Sequence, residues 1–283
     1  MRIGRLIIVI LVAISIVSVL NGCNPSGIEI TGSENLTTKA YDLQNFTRVE
    51  LNHTFNAEIT QSDDFSISVT VDDNIIDFLV VQKSGSTLKI GLRSGRNYLN
   101  ITGRVIITMP YFRGIVLKDS SHASVSGFTS TESLDILLSN ASHFSLNGVI
   151  TTESLAIRAS DAGSIDFEEI KSNEFEIHAS GSSKISGIFE ATSGDIEISG
   201  GSIVNLEGKA TDIRLVVSGG GKGLLENLFT QNGDITLSGS GIATVNVSGR
   251  LEINASGSSS LTYFGNPTLG NIDISDAASV VRK

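Results

Sequence analysis

The sequence predicts an all-β protein, a β-solenoid of parallel β-helix type with rungs of about 19–20 residues. Three observations carry this reading. A short unit recurs at nearly constant spacing, the strands within it alternate apolar and polar residues, and 29 glycines are set against only 3 prolines. Few prolines leave backbone N–H groups free to pair, and glycine with serine and threonine supplies tight turns.

The unit starts near residue 115. It runs apolar-x-apolar, then Ser-Gly or a variant, a polar stretch and a second short apolar strand. Examples are LDILLSNASHFSLNG from Leu134, EFEIHASGSSKISG from Glu174, DITLSGSGIATVNVSG from Asp234 and LEINASGSSSLTYFG from Leu251. The repeating serine is read at Ser120, Ser139, Ser160, Ser180, Ser199, Ser218, Ser238, Ser256 and Ser275, with gaps of 18 to 21 residues. The next residue is Gly181, Gly200, Gly219, Gly239 or Gly257, or else Asn140, Asp161 or Asp276, with Ser121 as the exception. Gly, Asn and Asp tolerate left-handed backbone, so this position is expected to turn a corner with positive φ.

Alternation supplies the buried face, as in Leu134, Ile136, Leu138 and in Phe175, Ile177, Ala179. A unit this short cannot bury such a face alone, whereas stacked units bury a continuous core. Nine rungs at the spacing of neighbouring strands would span roughly 40 Å. An antiparallel sandwich of hairpins is the competing architecture, but it requires neither a fixed period nor Ser-Gly at one phase.

Residues 41–112 are less regular. Phe65, Ile67, Val69 and Val71 alternate, as do Leu88, Ile90 and Leu92, and NIIDF after Asp72-Asp73 predicts one helical turn. No linker separates this stretch. It is expected to be the N-terminal cap and first rungs of one domain over 41–283, with the regular repeats over 113–283.

Residues 1–22 read as an export signal: Arg2 and Arg5, then the apolar run LIIVILVAISIVSVL, short of the roughly 20 residues a spanning helix needs. Leu20-Asn21-Gly22-Cys23 resembles a bacterial lipobox. The resemblance implies cleavage before Cys23, lipidation of its thiol and anchorage to a membrane facing outside the cytoplasm. Cys23 is the only cysteine, so no internal disulfide is possible. Removing residues 1–22 leaves 18 Lys+Arg against 30 Asp+Glu, a net charge of −12, which disfavours nucleic acid as a partner. Residues 23–40, rich in Asn, Ser, Thr and Gly, are expected to form a flexible tether.

The stretch from Phe46 to Gly95, FTRVELNHTFNAEITQSDDFSISVTVDDNIIDFLVVQKSGSTLKIGLRSG, followed by the Ser-Gly repeats, resembles the putative auto-transporter adhesin, head GIN domain family. The resemblance spans about residues 42–275. It implies an exported, often lipid-anchored β-helix-like solenoid, and it brings no catalytic or binding residues with it.

No constellation for catalysis, cofactor or metal emerges. His122, His143 and His178 sit at different phases of the repeat, so stacking is not expected to gather them, and His53 lies outside it. The pairs Glu168-Glu169 and Asp63-Asp64 are adjacent along the chain and would face opposite ways in a strand. Asp195, Asp212 and Asp234 could form an acidic column, either a weak calcium site or a solvated face. Ser218-Gly219-Gly220-Gly221-Lys222 lacks the ending of a phosphate loop and reads as a corner. Seven sequons, at Asn35, Asn45, Asn52, Asn100, Asn140, Asn246 and Asn254, barely exceed what the composition predicts. The expected role is a non-enzymatic surface binding or adhesion module for an unidentified glycan or protein ligand. A structural envelope component and a polysaccharide-active β-helix enzyme are the alternatives. An exposed aromatic strip drawn from Phe128, Phe144, Phe167, Phe189, Phe229 and Phe264 would favour the first.

Overall fold

The computed structural model describes residues 28–283. The export signal and Cys23 lie outside the described residues. The chain forms a nearly all-β solenoid of about eight turns, with parallel bridges about 20 residues apart.

The N-terminal end is built from strands β1 (Ile28–Thr31), β2 (Leu36–Tyr41), β3 (Arg48–Leu51), β4 (Asn56–Gln61), β5 (Ser66–Asp72), β6 (Leu79–Ser84), β7 (Thr87–Leu92), β8 (Arg96–Leu99) and β9 (Gly103–Met109), with a 3-10 turn over Asp73–Phe78. Residues 28–40 of the expected tether are therefore largely strand. β1 pairs in parallel with β8, and β2 pairs antiparallel with β5. Their polar sequence was misleading because β2 is an edge strand with no fully buried residue. The buried Asp72 carboxylate fastens this segment, accepting the N–H of Glu34 at 2.7 Å and of Thr102 at 2.6 Å.

The first two rungs are stacked in swapped order. β7 and β9 come later in the chain, yet they lie outside β3 and β4. The strands that follow β9 then pair with β3 and β4. Beyond β7 and β9 the end is closed by antiparallel strands, β6 on one side and β5 with β2 on the other.

Regular rungs follow: β10 (Gly114–Leu117), β11 (His122–Ser126), β12 (Ser130–Leu138), β13 (His143–Ala159), β14 (Ser164–Ala179), β15 (Lys184–Ile198), β16 (Ile203–Val217), β17 (Lys222–Leu237), β18 (Ile242–Val247), β19 (Arg250–Ala255), β20 (Ser260–Phe264), β21 (Thr268–Ile274) and β22 (Ser279–Arg282). Each rung has three strand segments, which define sides A, B and C. In β13 these are residues 143–146, 149–152 and 154–159. Alternate residues point inward, so Phe144, Leu146, Ile150, Leu155, Ile157 and Ala159 are buried and their register partners continue the columns.

The corner between sides C and A explains the repeating serine. Leu117 pairs with Leu138, which aligns Lys118, not Ser120, with Ser139. The corner residue of that rung is therefore Asp119, and the apparent exception at Ser121 disappears. Asp119, Asn140, Asp161, Gly181, Gly200, Gly219, Gly239, Gly257 and Asp276 all have φ between 55° and 73°. Two residues further on is an inward column in which Ser121, Ser142, Ser183, Ser202 and Ser259 are buried. Ser183 donates to the Ala159 carbonyl at 3.1 Å and meets the Ser202 hydroxyl at 3.2 Å, whereas the Ser259 hydroxyl has no partner.

Bulky residues are placed by complementary glycines. A Cβ at Gly187 would overlap the Phe167 ring, and one at Gly194 the Phe175 ring. Phe175 and Phe189 then meet edge to face at 4.7 Å, a favourable aromatic geometry.

Candidate binding surface

Outward residues form columns on the three sides. Side C carries a ladder of opposite charges: Arg158 contacts Glu176 at 2.5 Å, and His178 lies between Glu176 at 2.6 Å and Glu197 at 3.1 Å. Hydrogen bonding from His178, with the charge of Arg158, holds the Glu176 carboxyl below the usual carboxylate range despite partial desolvation. Side B carries Lys171, Glu190 and Lys209, with Glu190 at 3.4 and 2.8 Å from the two ammonium groups. These pairs are exposed and contribute little stability, but they order the surface.

The proposed acidic column is not formed as expected. Asp195 and Asp234 share a column, but Arg214 stands between them, and Asp212 lies in the neighbouring column, where it accepts from Asn232 at 2.7 Å. Among the described residues no three His, Asp or Glu side chains converge closely enough to hold a metal ion. The histidine expectation also needs correcting. His122 and His143 are register partners with ring centroids 5.9 Å apart. Counting from Ser120 had displaced them by two positions. His53 sits at the N-terminal end, where burial lowers its pKa, and its Nδ1 accepts the Leu92 N–H at 3.3 Å. Ser218–Lys222 forms a corner, as read from the sequence, with the Gly221 N–H bonded to the Ser218 carbonyl.

Of the candidate aromatics, Phe128, Phe144, Phe167 and Phe189 are buried and Phe264 is half-buried. Phe229 alone among them is largely exposed, at 64%, on side B beside Lys209. Among the described residues these aromatics form no continuous exposed strip.

An open concavity lies where side A turns into side B. The number of residues spent on this corner varies between rungs. Between paired positions β13 has Asn147 and Gly148, β14 has Glu168 alone, and β15 passes directly from Gly187 to Ile188. β16 matches β15 residue for residue, whereas β17 is longer again. The short corner of β15 becomes the floor of a saddle, and the longer corner of β13 and β14 becomes its wall. The resulting open groove is about 620 Å³ in volume. Leu146, Phe167, Gly187 and Ile188 form its apolar part, and Ser145, Asn147, Asp166, Glu168, Ser186, Asn205 and Glu207 surround them. The wall is held together internally: the Gly148 N–H donates to Glu168 at 2.7 Å, Asn147 donates to Ser124 at 2.9 Å, and Ser186 donates to Asp166. A second groove of about 490 Å³ adjoins it along side A and shares Ser145; it is lined by Arg104, Glu58, Ile106, His122 and His143 among others. Of these groove residues, Phe167, Glu168, His122 and His143 are singled out in the sequence, each for another reason. The rest could not be found there, because the groove arises from differences in corner length rather than from a motif.

No helix among the described residues is long and apolar enough to cross a membrane. Solved structures share the fold. A putative lipid binding protein from Parabacteroides distasonis matches with a TM-score of 0.69 at 20% identity, over 90% of this chain and 99% of that one. A putative adhesin from the same organism matches with a TM-score of 0.68 at 17% identity, over 90% and 100%. A putative adhesin from Parabacteroides merdae matches with a TM-score of 0.68 at 15% identity, over 91% and 100%. No curated protein matches the chain. The family model "Putative auto-transporter adhesin, head GIN domain" matches residues 45–267, which run from β3 to β20 and include both grooves, and the chain belongs to that family.

Proposed function

We propose that this protein is a non-enzymatic, lipid-anchored surface module that binds an extracellular glycan or protein through side A. The observation that carries the reading is the side itself. Over successive rungs it presents Asn, Ser, His, Arg and acidic side chains around two contiguous shallow grooves, all on a stacked, buried core. Open grooves on regular sheets suit recognition of an extended ligand, whereas small molecules favour concave, largely enclosed sites. The adhesin description of the family and of two structural neighbours supports a surface binding role.

Anchorage at Cys23 fits the structure of the N-terminal end. β1 begins at Ile28, so fully extended backbone would place the fold at most about 18 Å from an acylated Cys23. The capped end would then lie near the bilayer and the later rungs furthest from it. The test is a screen of the full-length protein in detergent on a glycan and extracellular-matrix array, with membrane partition compared between it and Cys23→Ala. Saturable capture and loss of partition are the expected results. A blank array from folded protein would refute binding, and unchanged partition would refute lipidation.

A further inference from the structure

We infer that the saddle at the corner of sides A and B is a subsite for an amino-sugar unit of a glycan; this rests on the surface-binding reading and names its ligand class. The shape is the first argument. The corner of β15 is shortened to Gly187-Ile188 and β16 matches it, while β13 and β14 project beside them, leaving a groove whose lining spans four rungs. Strand spacing sets that length at roughly 14 Å, the scale of two or three pyranose rings.

The second argument is chemical layering. Ile188 is 46% exposed and, beside Gly187, offers an apolar patch to the C–H face of a ring. Around it stand hydroxyls of Ser145 and Ser186, amides of Asn147 and Asn205 and carboxylates of Asp166, Glu168 and Glu207. Hydroxyls and amides can both donate and accept, and a carboxylate can accept two vicinal hydroxyl donors.

Charge selects among sugars. The lining carries three carboxylates and no Lys or Arg, so uronic acids and sulfated glycans are repelled. An ammonium on the ring gains charge-assisted hydrogen bonds. Among the described residues the carboxylates do not converge into a metal-binding group. The polar rim also distinguishes the saddle from side B, where Lys171 and Lys209 neutralise Glu190.

The test uses the full-length protein in detergent and titrates it calorimetrically with a glucosamine hexamer, its fully N-acetylated counterpart, an oligolysine and calcium chloride. Tightest binding to the glucosamine hexamer is expected. Glu207→Gln and Glu168→Gln should each weaken it about tenfold, the loss of one charge-assisted hydrogen bond. Asp234→Asn on side C should leave it unchanged. Thermal melts of each variant separate lost binding from lost fold. Equal affinity in the groove variants, equal binding of the acetylated hexamer, or oligolysine or calcium binding as tightly would overturn the proposal. If the matrix array gives a saturable ligand that the groove variants still bind, the subsite fails while the surface-binding reading stands.

Discussion

At the N-terminal end, β5 and β6 run antiparallel to the rung strands they cover and β2 runs antiparallel to β5, whereas at the other end β21 and β22 repeat the rung before them and present their outer edge. The consequence is visible in one column: Ile253 is 2% exposed and its register partner Ile272 is 42% exposed. Reversing strand direction ends the parallel template. The outermost strands of the capped end also carry Lys39 and Lys83, charges of the kind that discourage edge-to-edge pairing. The difference teaches that the regular body is held by repetition and the capped end by particular contacts, above all Asp72. The two should therefore respond differently to substitution.

The largest expected effect lies in the repetitive body. Phe189→Ala removes a ring packed against both Phe167 and Phe175 and should cost about 3–5 kcal/mol in chemical denaturation. Loss should spread across neighbouring rungs, since each is the template of the next. Asp72→Ala should cost about 2 kcal/mol by leaving the Glu34 and Thr102 amides without acceptors. Hydrogen exchange should then report faster opening of residues 28–41 while side C of β14–β16 stays protected. If both regions open together, the two ends are not energetically distinct.

Corner substitutions come next. Gly219→Ala should cost about 1–2 kcal/mol, because φ is 64° there and the added Cβ would sit 3.2 Å from the Gly200 carbonyl oxygen. Acid should weaken the capped end first. Burial lowers the pKa of His53, partly opposed by Asp119. The unfolded chain therefore takes up that proton at higher pH than the folded one, and stability is lost as pH falls below about 6.5. Glu50 follows with the same sign. Desolvation pushes its pKa up, but Lys118 and Lys89 together outweigh it and leave it lowered, so its contribution is lost on acidification through the carboxylate range. His53→Asn, which keeps a residue tolerant of positive φ, should remove the first phase from a plot of melting temperature against pH. The smallest effect belongs to the serine column. Ser183→Ala should cost about 1 kcal/mol, and Ser259→Ala should be neutral or stabilising because that hydroxyl is buried without a partner.

The regular rungs were legible because repetition and alternation both survive in the sequence. Leu134, Ile136 and Leu138 could be assigned inward without any coordinates, and so could the corner glycines. What failed did so where the rung length changes. Ser120 imitates the repeating serine two positions late, and that displacement hid the pairing of His122 with His143. The strands at 28–41 were hidden for a different reason. β2 buries no residue fully, so it leaves no apolar alternation to read. The groove was invisible because a missing residue at Gly187-Ile188 has no signature of its own.

The corner column has a consequence for how such a molecule can change its reach. Every rung from β13 to β17 pairs in parallel with its neighbours and is entered through the same positive-φ corner between sides C and A, while only the corner between sides A and B varies in length. A whole rung inserted or deleted there leaves the capped end and the last rung with neighbours of unchanged shape. Length is then an adjustable quantity, changed in steps of about 4.8 Å without redesigning either end.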